Sequence, residues 1–166
     1  MDRVKAGDIM SFPVLTIRPE ATIRELADVL GENDVSGLPV VDDEGRLLGV
    51  VSEEDLILQD AELHFPHYIQ IFDSVIYLES IRKFEERFRK ALAVKVRDIM
   101  SDEPVTISTD ATLREIATIM IDRDVNRLPV VDEENRLLGI VARGDVIRGI
   151  AALQALDEKN EKGAEA

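Results

Sequence analysis

The sequence predicts an α/β (α+β) fold, two β-α-β-β-α repeats packed as a pseudo-two-fold module, and three observations predict it. The chain repeats itself at a spacing of 90 residues: Val4–Ser11 returns as Val94–Ser101, Leu38–Asp42 as Leu128–Asp132, and Leu47–Val51 as Leu137–Val141. In each copy a Thr-x-x-Glu box opens a stretch whose apolar residues fall at helical spacing. Each copy then carries an apolar run opened by proline, a polar turn and a second apolar run, the pattern of a β-hairpin.

Taken in order, Val14–Ile17 and Val105–Ile107 are short β-prone pieces. Thr22 with Glu25, and Thr112 with Glu115, form the capping boxes. Ile23, Leu26, Ala27 and Leu30 in copy one, and Leu113, Ile116, Ala117 and Met120 in copy two, supply the apolar helix face. Pro39 and Pro129 stand where a strand tolerates proline, near its start. Asp42–Gly45 and Asp132–Asn135 are polar turns, Gly45 and Asn135 being the residues that best accept a positive φ. Arg46–Val51 and Arg136–Val141 form the returning strands, and a last helix starts at Glu53 and at Arg143. Repeat one is assigned to 1–60, a linker to 61–93, repeat two to 94–152, and a frayed tail to 153–166. The linker holds both histidines and six of the seven aromatic residues. Leu78, Ile81, Phe84, Phe88 and Leu92 give it an amphipathic helix that docks on the repeats or on a partner.

The chain has 166 residues, 45% of them apolar, enough for a core. Each repeat spans about 55 residues, a size at which an isolated unit is marginal, so the copies are expected to pack together. No apolar run approaches the ~20 residues that cross a bilayer. Nothing at the N-terminus reads as a signal peptide. With no cysteine, disulfides and Cys-based zinc sites are excluded, and a cytoplasmic location is the expectation. The net charge is −14, and residues 1–60 alone carry 14 acidic against 5 basic side chains. Such a field repels phosphate backbones, so nucleic acid is not an expected partner. Arg97, Arg123, Arg127, Arg143 and Arg148 gather in copy two, where an anionic small molecule could be held.

Four motifs recur in the same order in both copies: Asp-Ile-Met-Ser, Leu-Pro-Val-Val-Asp, Leu-Leu-Gly-(Val/Ile)-Val, and an aspartate four residues later (Asp55, Asp145). In this set each copy resembles the CBS domain, named after cystathionine β-synthase, where it is a regulatory appendage. The resemblance implies two copies packed sheet to sheet in a disc-like module with two clefts that bind adenosine-containing ligands, here AMP, ADP or ATP. It also implies a homodimer and a regulated protein partner; no catalytic residue and no cofactor are expected.

Carried onto this sequence, the resemblance makes Asp55 and Asp145 acceptors for ribose hydroxyls; by their position alone they serve equally as carboxylates at a helix N-terminus. Ser52 completes the Ser/Thr-x-x-Asp pattern in copy one, whereas Ala142 replaces it in copy two. Base recognition falls to Met10–Leu15 with Val35, Ser36 and Gly37, and to Met100–Val105 with Val125, Asn126 and Arg127. Met10, Met100, Val35 and Val125 also suit the core. Gly37 and Arg127 occupy matching positions, one allowing close backbone approach and the other offering a fork for phosphate. Arg143, matching Glu53, adds a second cation; a surface ion pair is the alternative for either arginine.

Other chemistry is sparse. His64 and His67 flank a proline and make a poor metal signal, and clusters such as Glu53–Asp55 suit solvated turns and helix starts. No phosphate-binding glycine loop, nucleophile elbow or Ser-His-Asp arrangement is visible. A nucleotide-sensing module is therefore the leading reading. Its alternative is a structural interaction module that regulates a partner enzyme or transporter without a nucleotide.

Overall fold

A computed structural model of the chain describes residues 4–56, 68–71, 74–77 and 94–164. A helical turn α1 (Ala6–Ile9) leads into α2 (Ile23–Asn33), strands β1 (Gly37–Val41) and β2 (Leu47–Ser52), and a helical turn at 53–56. A hairpin follows, β3 (Tyr68–Ile71) and β4 (Ser74–Tyr77). Copy two repeats the series with a 3₁₀ turn (Val96–Asp98), α3 (Leu113–Asp122), β5 (Arg127–Val131), β6 (Leu137–Ala142) and α4 (Arg143–Ala164).

The helices start where the capping boxes place them. Glu25 N–H donates to Thr22 Oγ1 at 3.2 Å and Thr22 N–H to Glu25 Oε2 at 2.7 Å. The pair at Glu115 and Thr112 gives 3.3 and 2.8 Å. Donation by the threonine N–H, then by its hydroxyl, holds both glutamates below the usual carboxylate range. Ile23, Leu26 and Leu30 are buried along α2, and Leu113, Ile116 and Met120 along α3. Ala27, expected on that face, is exposed.

In each copy the hairpin gains one residue of a third, parallel strand. Ile17 bridges Val40 and Ile107 bridges Val130, which is all that remains of the β-prone pieces expected before the helices. Leu38, Pro39 and Val40, with Leu128, Pro129 and Val130, are fully buried. The turns use the expected residues: Gly45 has φ +78° and Asn135 φ +61°.

Two compact units form, and they cut across the repeats. The first combines Met1–Leu15, Asp43–Leu47 and Glu103–Ala166; the second combines Thr16–Asp42 and Leu48–Asp102. The leading segment of each copy thus completes the unit of the other. In the first unit Ala6 N–H donates to Ala111 O (2.8 Å), Gly7 N–H to Thr109 O (3.0 Å) and Leu113 N–H to Val4 O (3.0 Å). In the second, Val96 N–H donates to Ala21 O (2.8 Å), Arg97 N–H to Pro19 O (3.1 Å) and Ile23 N–H to Val94 O (3.0 Å). Every bond of the first set has its counterpart 90 residues away in the second. Ala6, fully buried, joins the core of Ile107, Leu113, Ile116, Met120, Leu128, Val130, Val141 and Val146. Val96 does the same for Ile17, Leu26, Leu30, Leu38, Val40 and Val51. A 55-residue repeat leaves one side of its sheet and helix uncovered, and the borrowed segment closes it.

Two further expectations are corrected or displaced. The tail at 153–166, expected to fray, is helical to Ala164; its Ala, Leu, Glu, Gln and Lys are strong helix formers that extend a helix already nucleated. The amphipathic helix expected at 78–92, and His64 and His67, lie outside the described residues. The β3–β4 hairpin, with Tyr68 opposite Tyr77, was not expected.

Candidate functional site

The strand end that leads into a helix is built alike in both copies. Glu53 N–H donates to Ser36 O at 3.1 Å, and Arg143 N–H donates to Asn126 O at 3.1 Å. This bond ties the residue before β1 or β5 to the first turn of the following helix. Gly37 and Ser36 are thereby held beside Ser52, Glu53 and Asp55, and Asn126 and Arg127 beside Ala142, Arg143 and Asp145. The grouping expected within each copy at this end is present, with Arg127 opposite Ala142 in the ladder.

The two aspartates differ in setting. Asp55 is half-buried, and its Oδ2 accepts Ser52 N–H at 2.7 Å and Ser52 Oγ–H at 3.0 Å. Its other oxygen has no hydrogen-bond partner among the described residues. Asp145 is buried, its side chain only 7% exposed. Its Oδ2 accepts Ala142 N–H at 2.7 Å, and its Oδ1 accepts from the Arg148 guanidinium. Both carboxylates therefore cap a strand-to-helix junction, and copy two adds an ion pair that Asp55 does not make among the described residues.

Arg127 is half-buried at the head of β5 and interacts with other groups of the protein. Arg143 is exposed and stands 3.8 Å from Asp124 Oδ1, a loose surface pair. The arginine that reaches Asp145 is Arg148, one of the five gathered in copy two but not among those assigned to the site. Its signal was present: Asp145 and Arg148 are three apart on a helix, a spacing that brings side chains together.

The methionines fall in the units opposite to those expected. Met10 lies over Gly139, where an added Cβ would meet its Sδ, and packs against the copy-two core. Met100 lies over Gly49 with the copy-one core. The exchange of leading segments is the cause, so Met10 does not group with Val35, Ser36 and Gly37 in one unit. Nor does Met100 group with Val105, Val125 and Asn126. Val35 packs on the copy-one core, and Val105 and Val125 on the copy-two core.

A cleft of about 390 Å³ opens beside Asp145, lined also by Asp8, Ile9, Ser11, Arg148, Gly149 and Ala152. Residues 145, 148, 149 and 152 lie along one face of α4, and Asp8, Ile9 and Ser11 come from the leading segment. A second cleft of about 410 Å³ is lined by Thr106, Ser108, Thr109, Asp110, Asp132 and Glu133 among others, with no basic side chain. Its sign is wrong for phosphate. Among the described residues no cluster of His, Cys, Asp and Glu is placed to hold a metal ion. No helix among them is long and apolar enough to cross a membrane.

A tandem pair of β-α-β-β-α units with an aspartate at each strand-to-helix junction defines the class. The CBS domain family model matches residues 6–62 and 96–152, and the chain belongs to that family. It is 32% identical over 150 residues to the uncharacterized protein MJ1426 of Methanocaldococcus jannaschii, covering 86% of this chain and 89% of that one. It is 31% identical over 140 residues to the chloroplastic CBS domain-containing protein CBSX2 of Arabidopsis thaliana, covering 83% of this chain and 58% of that protein. The crystal structure of CBSX2 in complex with AMP superposes with a TM-score of 0.69 at 29% identity, over 92% of this chain and 98% of that one.

Proposed function

We propose that this chain is a regulatory sensor without catalytic activity that binds an adenosine nucleotide, AMP, ADP or ATP. One observation carries the reading. In both copies an aspartate is held at the strand-to-helix junction beside the residue that opens the first hairpin strand. A carboxylate fixed in that way is placed to accept vicinal ribose hydroxyls. The family and the AMP complex of CBSX2 support adenosine as the nucleoside. Arg127 and Arg143, at the same end of copy two, supply positive charge for phosphate in an otherwise acidic chain. The sensor assembles as a homodimer, and its output is a change in shape or assembly read by a protein partner.

The competing reading, a structural interaction module, is favoured by one fact: each aspartate already serves its own helix. Calorimetric titration with AMP separates the two. Asp55→Asn and Asp145→Asn keep a carbonyl for the cap but remove the charge. Each should weaken AMP by about 1.5–3 kcal/mol, the range for a hydrogen bond to a charged group. The 2′- and 3′-deoxy analogues should bind the parent less well. Unchanged affinity in both variants would return the aspartates to the capping role.

A further inference from the structure

We propose that Arg148 is an internal competitor for the ribose site of copy two, an arm that must leave Asp145 before the hydroxyls can take it. The inference rests on the reading of Asp145 as the ribose acceptor and adds to it a gate that copy one does not have.

Asp145 has two oxygens and both are used: Oδ2 by Ala142 N–H, Oδ1 by the Arg148 guanidinium. The first bond belongs to the helix start and is lost only if the helix frays. The second is held by a side chain that is 74% exposed while its partner is 7% exposed. An exposed arm over a buried carboxylate is cheap to move, because the guanidinium that leaves returns to water. The carboxylate, by contrast, cannot be left bare, since a buried charge without a partner is costly. A diol offering two hydroxyls replaces the arginine as donor to the same oxygen. The cleft of about 390 Å³ that Asp145 and Arg148 both line gives the displaced arm somewhere to go. In copy one the position 90 residues earlier is Leu58, so Asp55 has no cation three residues along the chain. The two carboxylates, alike as caps, are therefore unequal as acceptors.

The test is calorimetric titration of the full chain with AMP for the parent, Arg148→Ala, Arg148→Lys, Asp145→Asn and the double variant Asp145→Asn/Arg148→Ala. Removing the competitor should tighten AMP by up to about fivefold, the upper end for an exposed pair. Arg148→Lys, keeping the charge without the fork, should fall between. In the Asp145→Asn background Arg148→Ala should change nothing. Arg148→Ala binding AMP as weakly as the parent, or more weakly, overturns the gate. A loss for AMP with none for adenosine would assign Arg148 to phosphate instead. If Asp145→Asn also leaves AMP unaffected, the ribose reading falls with it; if only the gain in Arg148→Ala is missing, the gate alone falls.

Discussion

Gly49 and Gly139 are equivalent glycines in β2 and β6, yet the leading segments that cross them meet them differently, and alanine at each should cost different amounts. At Gly49 a Cβ would run into the carbonyl oxygen of Ser101 and sit 3.0 Å from Met100 Sδ. That carbonyl is fixed: Val50 N–H donates to Ser101 O at 3.1 Å and Ser101 N–H to Val50 O at 2.9 Å. Making room means opening this bridge, two bonds of about 0.5–1.5 kcal/mol each, on top of the strain of overpacking. About 2–3 kcal/mol is expected for Gly49→Ala. At Gly139 the nearest obstruction is the side chain of Met10, Cγ at 2.9 Å and Cβ at 3.1 Å, with the sulfur closer still. Methionine turns about three bonds and yields, so Gly139→Ala should cost about 1 kcal/mol. Met10→Ala should recover most of that, a coupling that a double-mutant cycle reads directly. Thermal melts give the contrast as about 2–4 °C per kcal/mol for a chain of this size. Equal losses at the two glycines, or additive effects of Met10→Ala and Gly139→Ala, would refute the exchange of segments on which the difference rests.

Two further outcomes concern the helix starts and the strap at Lys5. Thr22→Ala and Thr112→Ala should each cost about 1 kcal/mol, the usual price of an N-cap, measured by urea unfolding. Glu25 and Glu115 are held below their ordinary 4.5 mainly by the threonine N–H, so their contribution is complete above that value and is lost as pH falls through the lower folded pKa. Lys5 is raised above 10.5 and Asp110 lowered below 3.8, each chiefly by their mutual hydrogen bond of 2.5 Å. Melting temperature against pH should therefore be flat between these limits. It should fall at the alkaline end as Lys5 deprotonates, and at the acid end as Asp110, Glu25 and Glu115 protonate. Asp110→Asn should remove the alkaline limb from Lys5, and a limb unchanged in that variant would contradict the assignment.

Local features were legible in the sequence because their physics is local. A capping box joins residues three apart, a turn needs one residue with positive φ, and a buried strand needs a short apolar run. Thr22, Asn135 and Leu38 each declared themselves on those grounds. The exchange of leading segments was not legible. A repeat says that Val4–Ser11 and Val94–Ser101 make the same contacts, but not whether each makes them with its own copy or the other. That choice depends on the chain path, and it moved Met10 and Met100 into the unexpected units. Arg148, counted among the arginines of copy two, went unassigned to the site for a different reason. The residues assigned to the site differ between the copies inside the shared motifs, as Arg127 does against Gly37, and Arg148 stands just past the last of those motifs.

Backbone and side chains divide the work differently in this molecule. The main-chain bonds of one unit recur in the other 90 residues away, down to the Ser36–Glu53 and Asn126–Arg143 links that set each aspartate in place. Symmetry of that kind holds the frame and treats the copies alike. The differences are written in side chains around an unchanged frame: Ser52 against Ala142, Glu53 against Arg143, Leu58 against Arg148. In copy one the hydroxyl of Ser52 adds a second donor to the aspartate from within the cap itself. In copy two that donor is missing, and the second bond comes instead from an arginine one turn further along the helix. The hydroxyl reinforces the oxygen already spent on the cap, whereas the guanidinium takes the oxygen a ligand would need. Loss of one small cap donor and gain of one long cation thus turn a fixed carboxylate into a gated one without moving the backbone.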